Sequence, residues 1–223
     1  MKAPSTKAKV KAFTLVELLA VIFIVAIVAA LLLPAKAGRG PNYTARCMNN
    51  QKQIVIGFTM WKEEHNGQFP WQVPFISGGA MNSAARGYVA PSFQVLSNWL
   101  KSPTAFICPT DKVKVATTNH NQLKNQNVSY FVAMDAATNN NVSILTGDRH
   151  LEYFNNPVKP GLFAYSSRKV MNWTHELHEI SSPQYLSLGI LSFADGHLER
   201  VMGADLNSVF QREGLATNHL AVP

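Results

Sequence analysis

The unbroken apolar run from Leu18 to Leu33 constrains this chain more than any other feature. Counted from Phe13, the segment ending at Leu33 has 21 residues, about 31 Å as a helix. That matches a hydrocarbon core of about 30 Å. Lys2, Lys7, Lys9 and Lys11 precede it, with no acid among them. Basic residues on one flank keep that flank cytoplasmic. The sequence therefore predicts a single pass with the N-terminus inside and the bulk of the chain outside, in the periplasm or beyond.

The same lysines account for much of the charge. The formal net charge is +7, and beyond residue 12 it falls to +3, from 16 Lys+Arg against 13 Asp+Glu. Those remaining basic residues are scattered rather than clustered. A phosphate-binding face shows a basic stripe, so nucleic acid is not an expected partner. Charged residues make up only 15% of the chain. Its 223 residues allow one small domain with appendages, or two compact units at most.

Three readings compete for the N-terminal segment. A secretory signal peptide has a shorter apolar core of about 7–15 residues, although Ala35-Lys36-Ala37 offers a small-residue cleavage pattern. A plain uncleaved anchor fits the length but has no use for Glu17. A carboxylate near the start of a membrane helix is costly and is tolerated when paired. Cleavage between Ala12 and Phe13 would create a partner amine, with Glu17 at position five of the shortened chain. The carboxylate of one copy then pairs with the amine of its neighbour and sets axial register.

The stretch Lys11-Ala12-Phe13-Thr14-Leu15-Val16-Glu17-Leu18-Leu19 resembles the signal of type IV prepilins and type II secretion pseudopilins. The resemblance implies that a membrane prepilin peptidase cuts before Phe13 and methylates the new terminus. It also implies that Glu17 is the assembly carboxylate. Ala12 stands where the family usually has Gly, so slower rather than absent processing is expected. The implied partners are the peptidase, like pilin or pseudopilin subunits, an inner-membrane assembly platform and the lipid bilayer. The expected organisation is a leader over 1–12, a transmembrane and assembly helix over 13–37, a hinge over 38–41 and an extracytoplasmic head over 42–223. Gly38-Arg39-Gly40-Pro41 is the reason for the hinge.

Tyr43 to Asn66 predicts a second helix, with Cys47, Ile54, Phe58 and Trp61 on an apolar face and Gln51, Lys52 and Lys62 mostly opposite. Gly67 is its natural terminator. Phe69-Pro70-Trp71 is expected to be extended, and Phe75 to Ala90 to be loop or short helix. Phe93 to Leu100 is read as a turn or two of helix, with Leu96 and Trp99 inward. Thr117 to Asn127 is read as loop, and Val128–Val132 and Val142–Leu145 as strands. Asp148 is expected to accept backbone N–H groups in a turn, with Arg149 paired nearby.

The run from Arg46 to Pro70, with Cys47, Asn50, Gln53, Gly67, Phe69 and Pro70, resembles a branch of pseudopilin-like proteins abundant in planctomycete and verrucomicrobial genomes. Cys108-Pro109-Thr110-Asp111 resembles a second segment of that branch. Two cysteines alone leave free thiols and a disulfide open; the resemblance adds support to a Cys47–Cys108 bond without deciding it. Gly189–Glu199 resembles the branch's closing hairpin, with Asp195-Gly196 as a two-residue turn signal. The branch often places a His about ten residues before Asp-Gly, which this chain lacks; His175 and His178 lie further upstream.

No cofactor is expected. Calcium remains an open option without a dense Asp/Asn run to compel it. His175, His178, Asp195 and His197 would need to converge to bind zinc. Ser192, His178 and Asp195 sit in no nucleophile-elbow pattern, so the chain is not read as an enzyme. An exposed aromatic patch of Trp71, Trp99 or Trp173 would favour a pilin-anchored surface-binding or adhesin protein; core packing is the plainer fate of each. A membrane-tethered domain that never polymerises is a further alternative. The fold class is α+β and pilin-like: a long N-terminal transmembrane helix followed by a small head with an antiparallel β-sheet.

Overall fold

The computed structural model describes residues 14–32, 43–137, 140, 142–166, 169–174 and 187–223. The chain divides into two units, residues 1–41 and 42–223.

In the first unit, α1 (Leu15–Leu32) forms because nothing in it breaks a helix: it holds neither Gly nor Pro. It runs for 18 residues, about 27 Å. No helix among the described residues is long and apolar enough to cross a membrane. The residues that would lengthen α1 toward 13 and 37, the leader 1–12 and the hinge 38–41 lie outside the described residues.

The second unit opens with α2 (Tyr43–Glu64). Gly67, at φ 78°, donates its N–H to Lys62 O at 3.0 Å and closes the end. Phe69–Trp71 is not extended as expected. Pro70 starts a 3₁₀ turn over Pro70–Gln72, where its missing N–H is no loss. A 3₁₀ turn at Phe75–Ser77 and the short helices α3 (Met81–Ala84) and α4 (Ala90–Gln94) follow. Further 3₁₀ turns cover Val95–Asn98 and Pro103–Phe106. The polar stretch before the sheet holds two more, at His120–Gln122 and Asn125–Asn127.

The strands are β1 (Tyr130–Ala133), β2 (Ile144–Asp148), β3 (Leu151–Tyr153), β4 (Asn156–Pro157), β5 (Gly161–Ser166), β6 (Met171–Trp173), β7 (Leu188–Phe193), β8 (Leu198–Met202) and β9 (Thr217–Val222), with helix α5 (Gly203–Arg212) between the last two. Six strands form one sheet in the order β5-β9-β1-β2-β7-β8, every neighbouring pair antiparallel. A small antiparallel sheet, β4-β3-β6, stands beside it.

The large sheet is covered on both faces. Tyr130, Val132, Leu145 and Ile190 pack with Ile54, Phe58 and Trp61 of α2 in one core. Phe131, Ala133, Ile144, Leu191, Phe193 and Leu220 pack with Leu206, Val209 and Phe210 of α5 and with Trp173 in the other. Successive β1 residues thus serve opposite cores, as the period of two requires. Their burial is continuous because neither face meets water.

Candidate functional site

At the N-terminus, Thr14 and Glu17 close a capping box. The Thr14 N–H and Oγ1 donate to Glu17 Oε2 at 2.9 and 2.8 Å, and the Glu17 N–H donates back to Thr14 Oγ1 at 3.3 Å. Glu17 therefore satisfies its own helix start. The large apolar side chains from Leu15 to Val28 are exposed all round α1. A helix apolar on every side belongs in lipid or in a protein core, not in water. Ala12 and Phe13 lie outside the described residues.

In the head, the N-terminal half of α2 is tied to the sheet by bonds between residues far apart in sequence. Cys47 and Cys108 form a buried disulfide with Cα atoms 5.0 Å apart. One turn on, Asn50 Nδ2 donates to Ile107 O at 2.8 Å. Gln51, expected on the outer face, is fully buried. It donates to Asp148 Oδ1 and Ile190 O, both at 3.3 Å, and accepts from Ser192 Oγ at 2.6 Å. Asp148 also accepts the Ile190 N–H at 2.7 Å. It does so as the last residue of β2 rather than in a turn, because Thr146-Gly147-Asp148 continues the strand. Arg149 pairs with Asp111 by two hydrogen bonds, 2.7 and 2.9 Å.

The electrostatics follow from this packing. Burial pushes the Asp111 carboxyl up, but the Arg149 guanidinium, with His150 3.8 Å away, outweighs it and holds it below the usual range. Burial, aided by the Arg149 charge, pushes Lys114 down to about 8. Burial and the charge of Asp148 raise Tyr130 well above its ordinary value. Elsewhere in the head, burial lifts Glu213 to about 7, against the opposing pull of the Ile144 N–H it accepts at 2.5 Å and of Ser143.

Asp195 and Gly196 lie in a three-residue connection, Ala194–Gly196, rather than a two-residue one. Gly196 N–H donates to Phe193 O at 2.9 Å, and Phe193 N–H to His197 O at 3.0 Å. Gly196 holds φ 94°, which an L side chain resists. Asp195 Oδ1 accepts the His197 N–H at 3.0 Å and meets His197 Nδ1 at 2.5 Å. Lys52 Nζ reaches from α2 to Gly196 O at 2.6 Å, so the hairpin tip docks on the helix.

Among the described residues no three His, Cys, Asp or Glu groups are placed to hold a metal ion; His175 and His178 lie outside them. The Ser192 hydroxyl is engaged by Gln51 in a buried position. Trp71 and Trp173 are buried. Trp99 is half-buried on the wall of a groove of about 410 Å³ beside α2, also lined by Ile56, Gly57, Met60 and Leu100. The three tryptophans form no shared exposed face.

Neither the buried role of Gln51 nor the groove was foreseen from the residue order. A glutamine in an apolar helix face is a weak signal, and the buried Asp148 that explains it lies 97 residues away.

The class is defined first by the N-terminus. Residues 7–33 match the prokaryotic N-terminal methylation motif, and the chain carries a type IV prepilin-like signal there. No curated protein and no solved structure matches the chain. The head behind that signal is an α+β unit with an antiparallel sheet.

Proposed function

We propose that this chain is a pseudopilin-like structural subunit, cut before Phe13, methylated there, and assembled through its N-terminal helix into a type II secretion or type IV pilus-like filament. The observation that carries this reading is the methylation motif over residues 7–33, joined to a helix whose apolar side chains are exposed on all sides. Such a surface calls for lipid before assembly and for like helices after it. In the inner membrane the N-terminal segment anchors the chain with its N-terminus cytoplasmic and its head outside.

Glu17 has two partners on this reading. In a single copy it caps its own helix through Thr14. In the assembly it turns to the freed amine of a neighbouring Phe13, so that neither charge is left unpaired in an apolar surround. The interaction needs no cofactor, and the peptidase and an assembly platform are the partners it requires.

The test uses two differently tagged full-length copies in one membrane containing a prepilin peptidase. Glu17→Gln should still lose residues 1–12 but should no longer co-isolate with the other copy. Undiminished co-isolation would remove Glu17 from assembly and favour a tether that does not polymerise through this carboxylate.

A further inference from the structure

The groove of about 410 Å³ beside α2 changes character along its length. One wall is a stripe of α2, with Asn50, Gln53, Gly57 and Met60 set three or four residues apart. That stripe runs about 15 Å. The facing wall, residues 99–105, lies against it in the opposite direction. At one end a Cβ on Gly57 would stand 2.7 Å from Leu100 Cδ1. At the other, Asn50 Nδ2 donates to Ile107 O at 2.8 Å. Trp99 and Leu100 therefore stand opposite the Gly57–Met60 end, and Ser102 and Thr104 fall toward the Asn50 end.

The Gly57–Met60 end is apolar. Ile56 and Met60 are 47% and 45% exposed there, and Trp99 is half-buried. The other end is polar, and its spare groups are mostly donors. The Lys101 ammonium and the Gln53 amide make no hydrogen bond to a described residue. The Ser102 and Thr104 hydroxyls share one hydrogen bond of 2.9 Å, which leaves one O–H to donate outward. Arg46, exposed one turn before Asn50, continues the stripe with a second cation. No acid answers these charges. No described Asp or Glu lines the groove, and none occurs from His65 to Thr110. Glu63 and Glu64 follow Met60, beyond the apolar end.

We infer that this groove binds a carboxylate carried on an apolar body. The carboxylate lies between Lys101 and the Ser102 and Thr104 hydroxyls, and the body lies between Met60 and Trp99. Charge complementarity decides the head: spare donors and an unpaired cation suit an acceptor-rich anion better than an amine or a neutral polyol. The single lysine of the lining matches a single negative charge. The apolar end decides the body, because contact with Ile56, Met60 and Trp99 removes apolar surface from water on both sides. Two extended residues span about 7 Å, so the C-terminus of an apolar peptide fits the groove, as does a free medium-chain acid. The site belongs to the head and operates whether or not the chain assembles.

The test uses full-length protein in lipid nanodiscs, titrated by calorimetry with octanoate and, separately, with N-acetyl-Leu-Leu, against discs without protein. Saturable binding of at least one is expected. The matching amides, octanamide and N-acetyl-Leu-Leu-amide, should bind about tenfold more weakly, since a hydrogen bond to a charged group is worth about that factor. Lys101→Gln should weaken the carboxylates about tenfold and leave the amides unchanged, a split that a merely structural role would not produce. Ile56→Asp should weaken every probe. Both side chains are exposed, and thermal unfolding of each variant at the parent temperature shows that the fold is kept.

Binding of octanoate alone assigns the groove to a free acid, and binding of N-acetyl-Leu-Leu alone assigns it to a peptide terminus. Binding of both makes the carboxylate on an apolar body the recognised group whatever its source. Absence of saturable binding by either carboxylate overturns the inference. So does equal binding of the amides, or a Lys101→Gln protein that binds like its parent. None of these results bears on the assembly reading, which co-isolation tests separately.

Discussion

Removing the Cys47–Cys108 bond should destabilise the head by about 4 kcal/mol. The bond closes a loop of 61 residues in sequence separation. In the chain-entropy account, cross-linking a loop of that length removes about 14 cal/mol/K from the denatured ensemble, or about 4 kcal/mol at 25 °C. The perturbation is Cys47→Ala with Cys108→Ala in the full chain, held in detergent. Urea unfolding is followed by the fluorescence of the four tryptophans, all of which lie in the head. With a slope of about 2 kcal/mol/M, the midpoint should fall by about 2 M. The slope should also rise, since an uncrosslinked denatured chain exposes more surface. A midpoint change under about 0.5 M, or an unchanged slope, would refute the reasoning. It would mean that the denatured chain stays compact in this region even without the bond, so that the cross-link removes little entropy from it.

Glu213→Gln should stabilise the head at neutral pH and leave it unchanged at low pH. The folded carboxyl titrates at about 7, above its ordinary 4.5. Its stabilising contribution is therefore complete below about 4.5 and lost as pH rises to about 7, a decline of about 3 kcal/mol. Gln keeps an acceptor for the Ile144 N–H, so thermal melts from about pH 4.5 to about pH 8 should show the decline abolished; parallel profiles for the two proteins would contradict it. Gln51→Leu should cost about 3 kcal/mol, the order for breaking a buried hydrogen-bonded network around a carboxylate. A double-mutant cycle with Ser192→Ala should show coupling, and additive losses would deny the contact. Arg149→Met should raise the titration of Asp111 toward its ordinary range, visible by carboxyl NMR, because burial alone pushes that group up; an unmoved titration would assign the lowering to His150 instead.

Local chemistry in the sequence carried the elements whose causes are local. Gly67 ends α2 where a left-handed residue is needed, and Cys47, Ile54, Phe58 and Trp61 form its buried face. The Thr14–Glu17 cap is equally local but went unread, because Glu17 reads in the sequence only as an assembly carboxylate. Non-local causes were not legible. Gln51 is inside because Asp148 and Ser192 meet it across the sheet. Phe69-Pro70-Trp71 bends into a 3₁₀ turn, where Phe69 and Trp71 stack with centroids 5.2 Å apart in the core. The Asp195-Gly196 signal named the turn but not its length, because a three-residue connection closed by a left-handed glycine uses the same two residues. β1 showed no alternation because two different layers bury its two faces. The groove beside α2 could not be read at all, since it depends on how Trp99 and Leu100 return to the helix.

The central claim is that this chain is processed at its N-terminus and then assembled. Intact mass and N-terminal peptide mapping of the protein from its native membrane test it most directly. The account expects a chain that begins at N-methylated Phe13. A chain that retains Met1, or one that begins after Ala37, would contradict it.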